Sequence, residues 1–508
     1  MHKKVGTFSK KSCLKNVVEK LRKSLAIFFG CLSAICAFIA VRNYICKPKE
    51  LPEIAENIAP KWDRNIEQLA RKHSKLIFIQ TESAKFKPSK LAKKILSQNY
   101  ISVEISPDLF PADYYILNSI LARNSRTQHP LKAGILSPNL HPIYLTSQYN
   151  SRVSHNAPTL DEALIIAVKH FEKNPYILKS SARDATKFDY IPQGFSNNFF
   201  FSNAFVKSKL LHESVNLFAY FNSQKPLYDS PAILSENARL SLRLSTLYKD
   251  ISTKNASTNA VKILCKRLAD KKESRTAKLL YLRALGESPF TQTNKKLQSF
   301  YLQNVNKILP KEKIADTKLL KSYGTATREM ALSVSVLSKA FAISGKTHFL
   351  NKAEDIALSL STKIDNTDIL PAKIGTHSEA SSLEYVLCAR AFFDLSKVSR
   401  KQNWVESTIK TISKWNENFM TDIKLWSINS KKSAFAKYTR PIITQDANTP
   451  SYIGEASQLF SEIGIDNSQT AKLLQKLTSN AMTDSFLSSR NCASLKLAML
   501  PQYTPPIF

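Results

Sequence analysis

From about residue 203 to the C-terminus, apolar side chains return every three or four positions, segment after segment. No other feature restricts the fold as strongly. The segments fall near 205–222, 233–248, 257–270, 275–286, 294–308, 327–344, 349–362, 379–398, 403–416, 452–464, 468–480 and 492–500. Each has the length of an ordinary amphipathic helix, and short connections join them. Helices in this number pair into six hairpins, enough to close an α/α ring. Ten Gly in 508 residues agree with a mostly helical body and leave no Walker-type or dinucleotide-type glycine loop.

The region before it, about 61–180, reads differently. Trp62, Ile66, Leu69 and Ala70 have helical spacing, and the apolar run Leu76 to Ile79 reads as a strand. A polar loop then leads to Leu91, Ala92, Ile95 and Leu96, again at helical spacing. A second β-type run, Tyr100 to Ile105, precedes a helical stretch at Tyr114 to Leu121. His129-Pro130-Leu131 stands before Ile135-Leu136-Ser137-Pro138 and Pro142-Ile143-Tyr144-Leu145. Helix, strand, helix, strand, helix and a Pro-led hairpin is the thioredoxin order, in which Pro130 occupies the position of a cis proline. Thioredoxin chemistry needs two thiols at the start of the helix after the first strand, where the dipole lowers a thiol pKa. Here Phe86, Lys87, Pro88 and Ser89 stand there, so Phe86 and Ser89 hold both sulfur positions. The cysteines nearest in sequence are Cys46 and Cys265. This predicts a redox fold without redox chemistry.

Leu25 to Val41 is uncharged and, at 1.5 Å per residue, reaches about 26 Å, enough to cross a thin hydrocarbon core. Eight basic residues precede it, against Arg42, Lys47 and Lys49 just after. The bias predicts a basic cytoplasmic tail (1–24), a single-span anchor (25–41), a linker (42–60) carrying Pro48, Pro52 and Pro60, and a body outside the cytoplasm on the periplasmic side. A cleavable signal peptide is the alternative.

The net charge of +33 favours contact with anionic surfaces, but it is spread along the chain. No helix-turn-helix, zinc or ribonucleoprotein signature accompanies it, which argues against nucleic acid. The seven cysteines form neither a Cys-x-x-Cys nor a Cys/His cluster, so no metal site, disulfide framework or cofactor is expected.

The two halves, in this order, resemble the spermatogenesis-associated protein 20 family, which joins a thioredoxin-like domain to an (α/α)6 toroid similar to N-acylglucosamine 2-epimerases. The resemblance covers about Trp62 to Gly464. His129-Pro130-Leu131 and Leu136-Ser137-Pro138 look like the family's Trp-Pro-Leu and Leu-Thr-Pro. Asp316-Thr317-Lys318-Leu319-Leu320-Lys321-Ser322-Tyr323-Gly324 is similar to its Asp-x-Lys-x-Leu-x-x-Trp-Asn. Glu384-Tyr385 resembles an Asp-Tyr-Ala segment, and Asp446-Ala447-Asn448-Thr449-Pro450-Ser451 resembles Asp-x-Ala-x-Pro-Ser, with Tyr452-Ile453 where Gly-Asn is expected. The family's Cys-His-Trp-Cys-His becomes Phe86-Lys87-Pro88-Ser89-Lys90.

The fold expected is therefore α/β plus all-α: a thioredoxin-like domain over 61–180 and an (α/α)6 toroid over 181–508. The resemblance implies pocket-rim positions at Asp316, Lys318, Tyr323, Glu384, Tyr385, Asp446, Pro450 and Ser451, which should gather at one end of the toroid. The expected role is an envelope scaffold that binds a glycan or protein segment in the toroid cleft. The alternative is a sugar-processing enzyme using Asp316, Glu329, Glu384 or Asp446, with His377 as a possible base. Against both stands a purely structural use: Asp316 and Asp446 as helix caps, Glu384 paired at a loop rim, Tyr323 and Tyr385 in the core. A cavity plugged by Tyr323, Tyr385 or Tyr452 favours the binder, and an open pocket with converging acids favours the enzyme.

Overall fold

A computed structural model of the chain describes residues 62–63, 65–81, 86–125, 130–149, 158–173, 213, 215–223, 225–248, 250–308, 326–374, 376, 378–422, 425–437, 439–442, 446, 449–463 and 492–499. The expected tail, anchor and linker lie outside these. Among the described residues no helix is long and apolar enough to cross a membrane.

The first elements are α1 (Ile66–His73), β1 (Leu76–Gln80), α2 (Lys90–Asn99), β2 (Tyr100–Glu104), α3 (Pro111–Ser125), β3 (Ala133–Leu136), β4 (Pro142–Thr146) and α4 (Leu160–Lys173). The sheet order is β2-β1-β3-β4, with β1 parallel to β2 and antiparallel to β3. Alternation along the strands sends Ile77, Ile79, Ile101 and Val103 to one face, in a core shared with Ile66 of α1 and Ile116, Leu117 and Ile120 of α3. Leu76, Phe78, Tyr100 and Ile135 face the other way, onto Ala92 of α2 and Leu160, Leu164 and Val168 of α4.

Through β4 the element order matches the sequence reading; α4 was not part of it. Helix α3 is longer than expected, beginning at Pro111, where a proline costs nothing because the first-turn N–H has no helical partner. No cis peptide occurs among the described residues, and His129, on the far side of the Pro130 peptide bond, lies outside them.

The helical part comprises α5 (Pro231–Tyr248), α6 (Ile251–Ala269), α7 (Arg275–Gly286), α8 (Pro289–Thr293), α9 (Lys295–Ile308), α10 (Thr327–Ser344), α11 (Thr347–Asn366), α12 (Ser382–Ser399), α13 (Gln402–Phe419), α14 (Tyr452–Ile463) and α15 (Ala493–Met499). Helices α5, α7, α10, α12, α14 and α15 pack each on the next, and α15 returns to α5, so the ring closes. Around it α6 lies on α5 and α7, α9 on α7 and α10, α11 on α10 and α12, and α13 on α12. Among the described residues this is a helical toroid, with six inner helices and four packed around them.

Burial explains which helices are inner. α12 buries nearly every residue from Ser382 to Ser396, whereas α13 buries a single stripe, Trp404, Thr408, Thr411, Trp415 and Phe419. The five-residue α8 was not expected; it is too short to show a period, starts at Pro289 and is capped by the Ser288 hydroxyl, which accepts from Phe290 N–H. The segment expected at 468–480 lies outside the described residues.

Closure of the ring depends on Gly454. A Cβ there would lie 2.7 Å from the Ser494 carbonyl carbon and 2.8 Å from Leu495 N, so α14 and α15 meet only because this side chain is a hydrogen. The sheet part and the ring belong to one compact unit, Pro60–Phe508.

Candidate functional site

The starts of α10, α12 and α14 meet at one end of the ring, around a cavity of about 240 Å³. Ser381 and Glu384 build the start of α12. The Ser381 N–H and hydroxyl both donate to Glu384 Oε2, at 2.7 and 2.5 Å, and Leu383 N–H donates to the Ser381 hydroxyl at 3.3 Å. This capping box fixes the Glu384 carboxylate although its side chain is almost wholly buried.

Oε1, the other oxygen, takes no hydrogen bond and is faced by the Arg328 guanidinium, whose Nε lies 3.2 Å away. Arg328 is the second residue of α10, and its Nη2 donates to the Pro107 carbonyl at 3.0 Å. Both residues line the cavity, with Tyr114, Tyr115 and Asn118 from α3 and Thr449, Pro450 and Tyr452 from the start of α14. Burial pushes the Tyr114 hydroxyl up to about 12, so it stays protonated.

One to two turns into the ring, the sequence reading missed a buried charge network. Arg239 on α5 reaches Glu236 at 2.6 Å, Glu287 at 2.8 Å and Glu455 at 3.1 Å, while its Nη2 donates to Gln458. Arg283 on α7 binds Glu455 through two bonds, of 2.8 and 2.6 Å. A second group joins Arg390, Asp394, Glu462 and Lys397. In the first group, two guanidiniums face three carboxylates. Burial, opposed by Arg239 and reinforced by Glu455, raises Glu236 to about 8, and a proton there neutralises that group. The arginines hold Glu455 and Glu287 below the usual carboxylate range despite their burial. The signal was available in the sequence, as Glu and Arg at helical spacing on otherwise apolar helices such as α5.

The expected site residues fall into four groups. Glu384 and Pro450 share the mouth cavity. Asp446 and Ser451 lie beside it in the local framework: Asp446 accepts from Ser451 N–H at 2.8 Å and from the Ser494 N–H and hydroxyl at 3.0 and 2.5 Å, and Ser451 Oγ accepts from Gly454 N–H. Burial raises the Asp446 carboxyl to about 6. Tyr385 points into the core, where its hydroxyl accepts from Leu370 N–H at 2.8 Å. Asp316, Lys318 and Tyr323, and the possible base His377, lie outside the described residues.

Glu329 accepts from the Thr276 hydroxyl at 2.7 Å. Of the tyrosines named as plugs, Tyr452 forms cavity wall and Tyr385 is absent from the lining. Acids do not converge there either: among the described lining residues Glu384 is the one carboxylate. Among the described residues no group of His, Cys, Asp and Glu is arranged as metal ligands.

At the thiol positions of the sheet part, Ser89 caps α2, its hydroxyl accepting from Ala92 N–H at 3.2 Å. The Phe86 ring packs between Phe78 and Tyr149, with centroids 5.8 and 5.7 Å away.

No family model and no curated protein matches the chain. Among solved structures, cellobiose 2-epimerase from Bacillus thermoamylovorans B4167 is similar at 10% identity and TM-score 0.42, over 56% of this chain and 89% of that one. D-mannose isomerase is similar at 10% identity and TM-score 0.39, over 56% and 86%. The unsaturated glucuronyl hydrolase of Bacillus sp. GL1 is similar at 11% and 0.39, over 55% and 84%. The likeness is one of fold, that of the (α/α)6 toroid. Each of the three is named for a reaction on a sugar, and the expected scaffold or binding role is set aside.

Proposed function

We propose that the chain is a sugar-acting enzyme whose site is the cavity at the mouth of the ring, with Glu384 moving a proton and Arg328 holding the negative charge that develops. One observation carries this reading: a buried carboxylate on the cavity wall has one oxygen fixed by a capping box and the other without a hydrogen bond. The remaining lining supports it. Tyrosine rings beside Ser381, Asn118 and Thr449 offer flat apolar faces and hydrogen-bonding groups together, which suits a polyhydroxylated ligand.

The chemistry such a pair performs is proton transfer next to a carbonyl. Glu384 Oε1 takes the proton from the carbon beside the carbonyl of an open-chain sugar. The C–H electron pair moves to form the enediolate, and the charge on oxygen rests against Arg328. Returning the proton to the neighbouring carbon, while the hydroxyl proton on O2 passes to O1, gives the isomeric ketose, with no net oxidation. Glycoside hydrolysis needs a second carboxylate across the bond. Asp446, the nearest in the reading of the sequence, is occupied by Ser451 and Ser494.

The test is exchange of the sugar C2 hydrogen in deuterium oxide, followed by proton NMR with free aldoses and the purified chain. Exchange is expected and should be lost in Glu384→Gln; exchange undiminished in that variant rejects the assignment.

The sheet part is read in the same proposal as a thioredoxin-type unit whose helix start has passed from thiol chemistry to capping. Its order β2-β1-β3-β4 supports this, as does the family resemblance in the sequence. The uncharged run 25–41 is proposed as the anchor that holds the body outside the cytoplasm. Protease added to intact cells in which only the outer membrane is permeabilised should then digest the body, and full protection would exclude that orientation.

A further inference from the structure

Helix α3 belongs to the sheet part, yet one of its faces forms a wall of the mouth cavity. Ala112, Ile116, Leu117 and Ile120 are buried in the core that α3 shares with the sheet. Pro111, Tyr114, Tyr115 and Asn118, spaced three and four apart, are half-buried and line the cavity instead.

The wall is clamped. Asp113 accepts from Trp62 Nε1 at 2.9 Å and from the Ser433 hydroxyl at 2.6 Å, Arg328 donates to Pro107, and Asn118 Oδ1 accepts from Leu131 N–H at 2.8 Å. Trp62, almost fully buried, stacks on Phe435 with centroids 5.7 Å apart. These bonds tie α3 and the residues just before it to both parts at once, so it cannot swing aside without breaking hydrogen bonds, three of which involve a charged group.

The cavity left beneath it, about 240 Å³, is smaller than the roughly 300–1,000 Å³ of sites that enclose drug-sized ligands. Two linked sugar rings are of that larger size, and one ring is not. We infer that α3 restricts the mouth cavity to a single free sugar unit, with Tyr115 and Asn118 setting the size limit. The inference rests on the mouth cavity being a sugar site, and it goes further by naming the substrate class: a monosaccharide, neither an oligosaccharide nor an internal unit of a polymer. The reaction that supplies this substrate must therefore be one that has already released a monosaccharide.

The experiment titrates the full chain calorimetrically with D-glucose and D-mannose, and with cellobiose and maltose. The hexoses are expected to bind, and the disaccharides to bind at least about tenfold more weakly, the scale on which a fitted pocket rejects an added group. Tyr115→Leu, with Asn118→Ser as the second variant, should narrow that gap. Disaccharide binding equal to hexose binding in the unmodified chain overturns the size limit and leaves the Glu384 exchange test standing. Binding of no sugar overturns both. A gap unchanged in folded Tyr115→Leu and Asn118→Ser overturns the assignment of the limit to α3.

Discussion

Arg328 Nε lies 3.2 Å from Glu384 Oε1, and this pair joins the first turns of two neighbouring inner helices at the mouth of the ring. The other oxygen of Glu384 is bound within α12, so the carboxylate has a structural half and an open half. The two halves separate in mutants. Glu384→Gln keeps an acceptor for the Ser381 N–H and should fold well while losing C2 exchange by about 10²–10⁴-fold, the usual worth of a positioned acid or base. Glu384→Ala removes the cap partner as well and should lose a further about 1–3 kcal/mol of stability, since buried polar groups are left unpaired. Urea unfolding of the two variants checks the difference. Equal stabilities would mean that the capping box contributes nothing.

Gly454→Ala should lower stability by about 1–3 kcal/mol, the cost of overpacking. The added methyl meets the Ser494 hydroxyl first, and behind it the backbone of Ser494 and Leu495, which cannot rotate away as a side-chain tip can. Adding Ser494→Gly should therefore give no rescue. Thermal melts of the single and double variants decide it, and recovery in the double variant would place the obstruction in the serine side chain.

The Glu236 carboxyl is raised to about 8 in the folded chain, above its value of about 4.3 in an unfolded one. Between these values the folded state binds the proton and the unfolded state does not. Glu236 thus stabilises the fold fully below about pH 4 and loses that contribution as pH rises towards 8. Asp446, raised to about 6, acts in the same sense over a narrower window. Glu455 and Glu287, held low, act oppositely and lose their contribution in acid. The melting temperature should therefore fall from pH 5 to pH 8, and Glu236→Gln should flatten that slope. An equally steep decline in the variant would assign the slope to other groups.

The sheet part should show no dithiol reductase activity. Ser89 serves as a helix cap and Phe86 as an aromatic contact. Elsewhere the Cys265 thiol is raised to about 11 by burial, so it carries little thiolate at neutral pH. Insulin reduction by the full chain is the measurement, and turnover that persists after Cys265, Cys388 and Cys492 are replaced would refute it. Ser89→Ala should in addition cost about 1 kcal/mol of stability through the lost cap.

The amino-acid sequence by itself determined the local elements. Period-3.6 spacing located α7 and α10 to the residue, 275–286 and 327–344, because a helix that buries one stripe must repeat its apolar residues with the helical turn. Ser89 and Ser381 cap their helices for an equally local reason, a hydroxyl within reach of the N–H three and two residues on. The five-residue α8 escaped because it completes too few turns to show a period.

What only the tertiary structure decided is which sequence-distant residues meet. Glu384 and Pro450 line one cavity, whereas Tyr385, next in sequence to Glu384, turns into the core, since adjacent helical side chains point about 100° apart. The Arg239–Glu455 pair spans 216 positions, and the wall that α3 lends to the mouth joins the sheet part to the ring. Periodicity says that a helix has a buried face. It does not say what lies against that face, because burial is satisfied by any apolar neighbour, and the neighbour is chosen by closure of the ring.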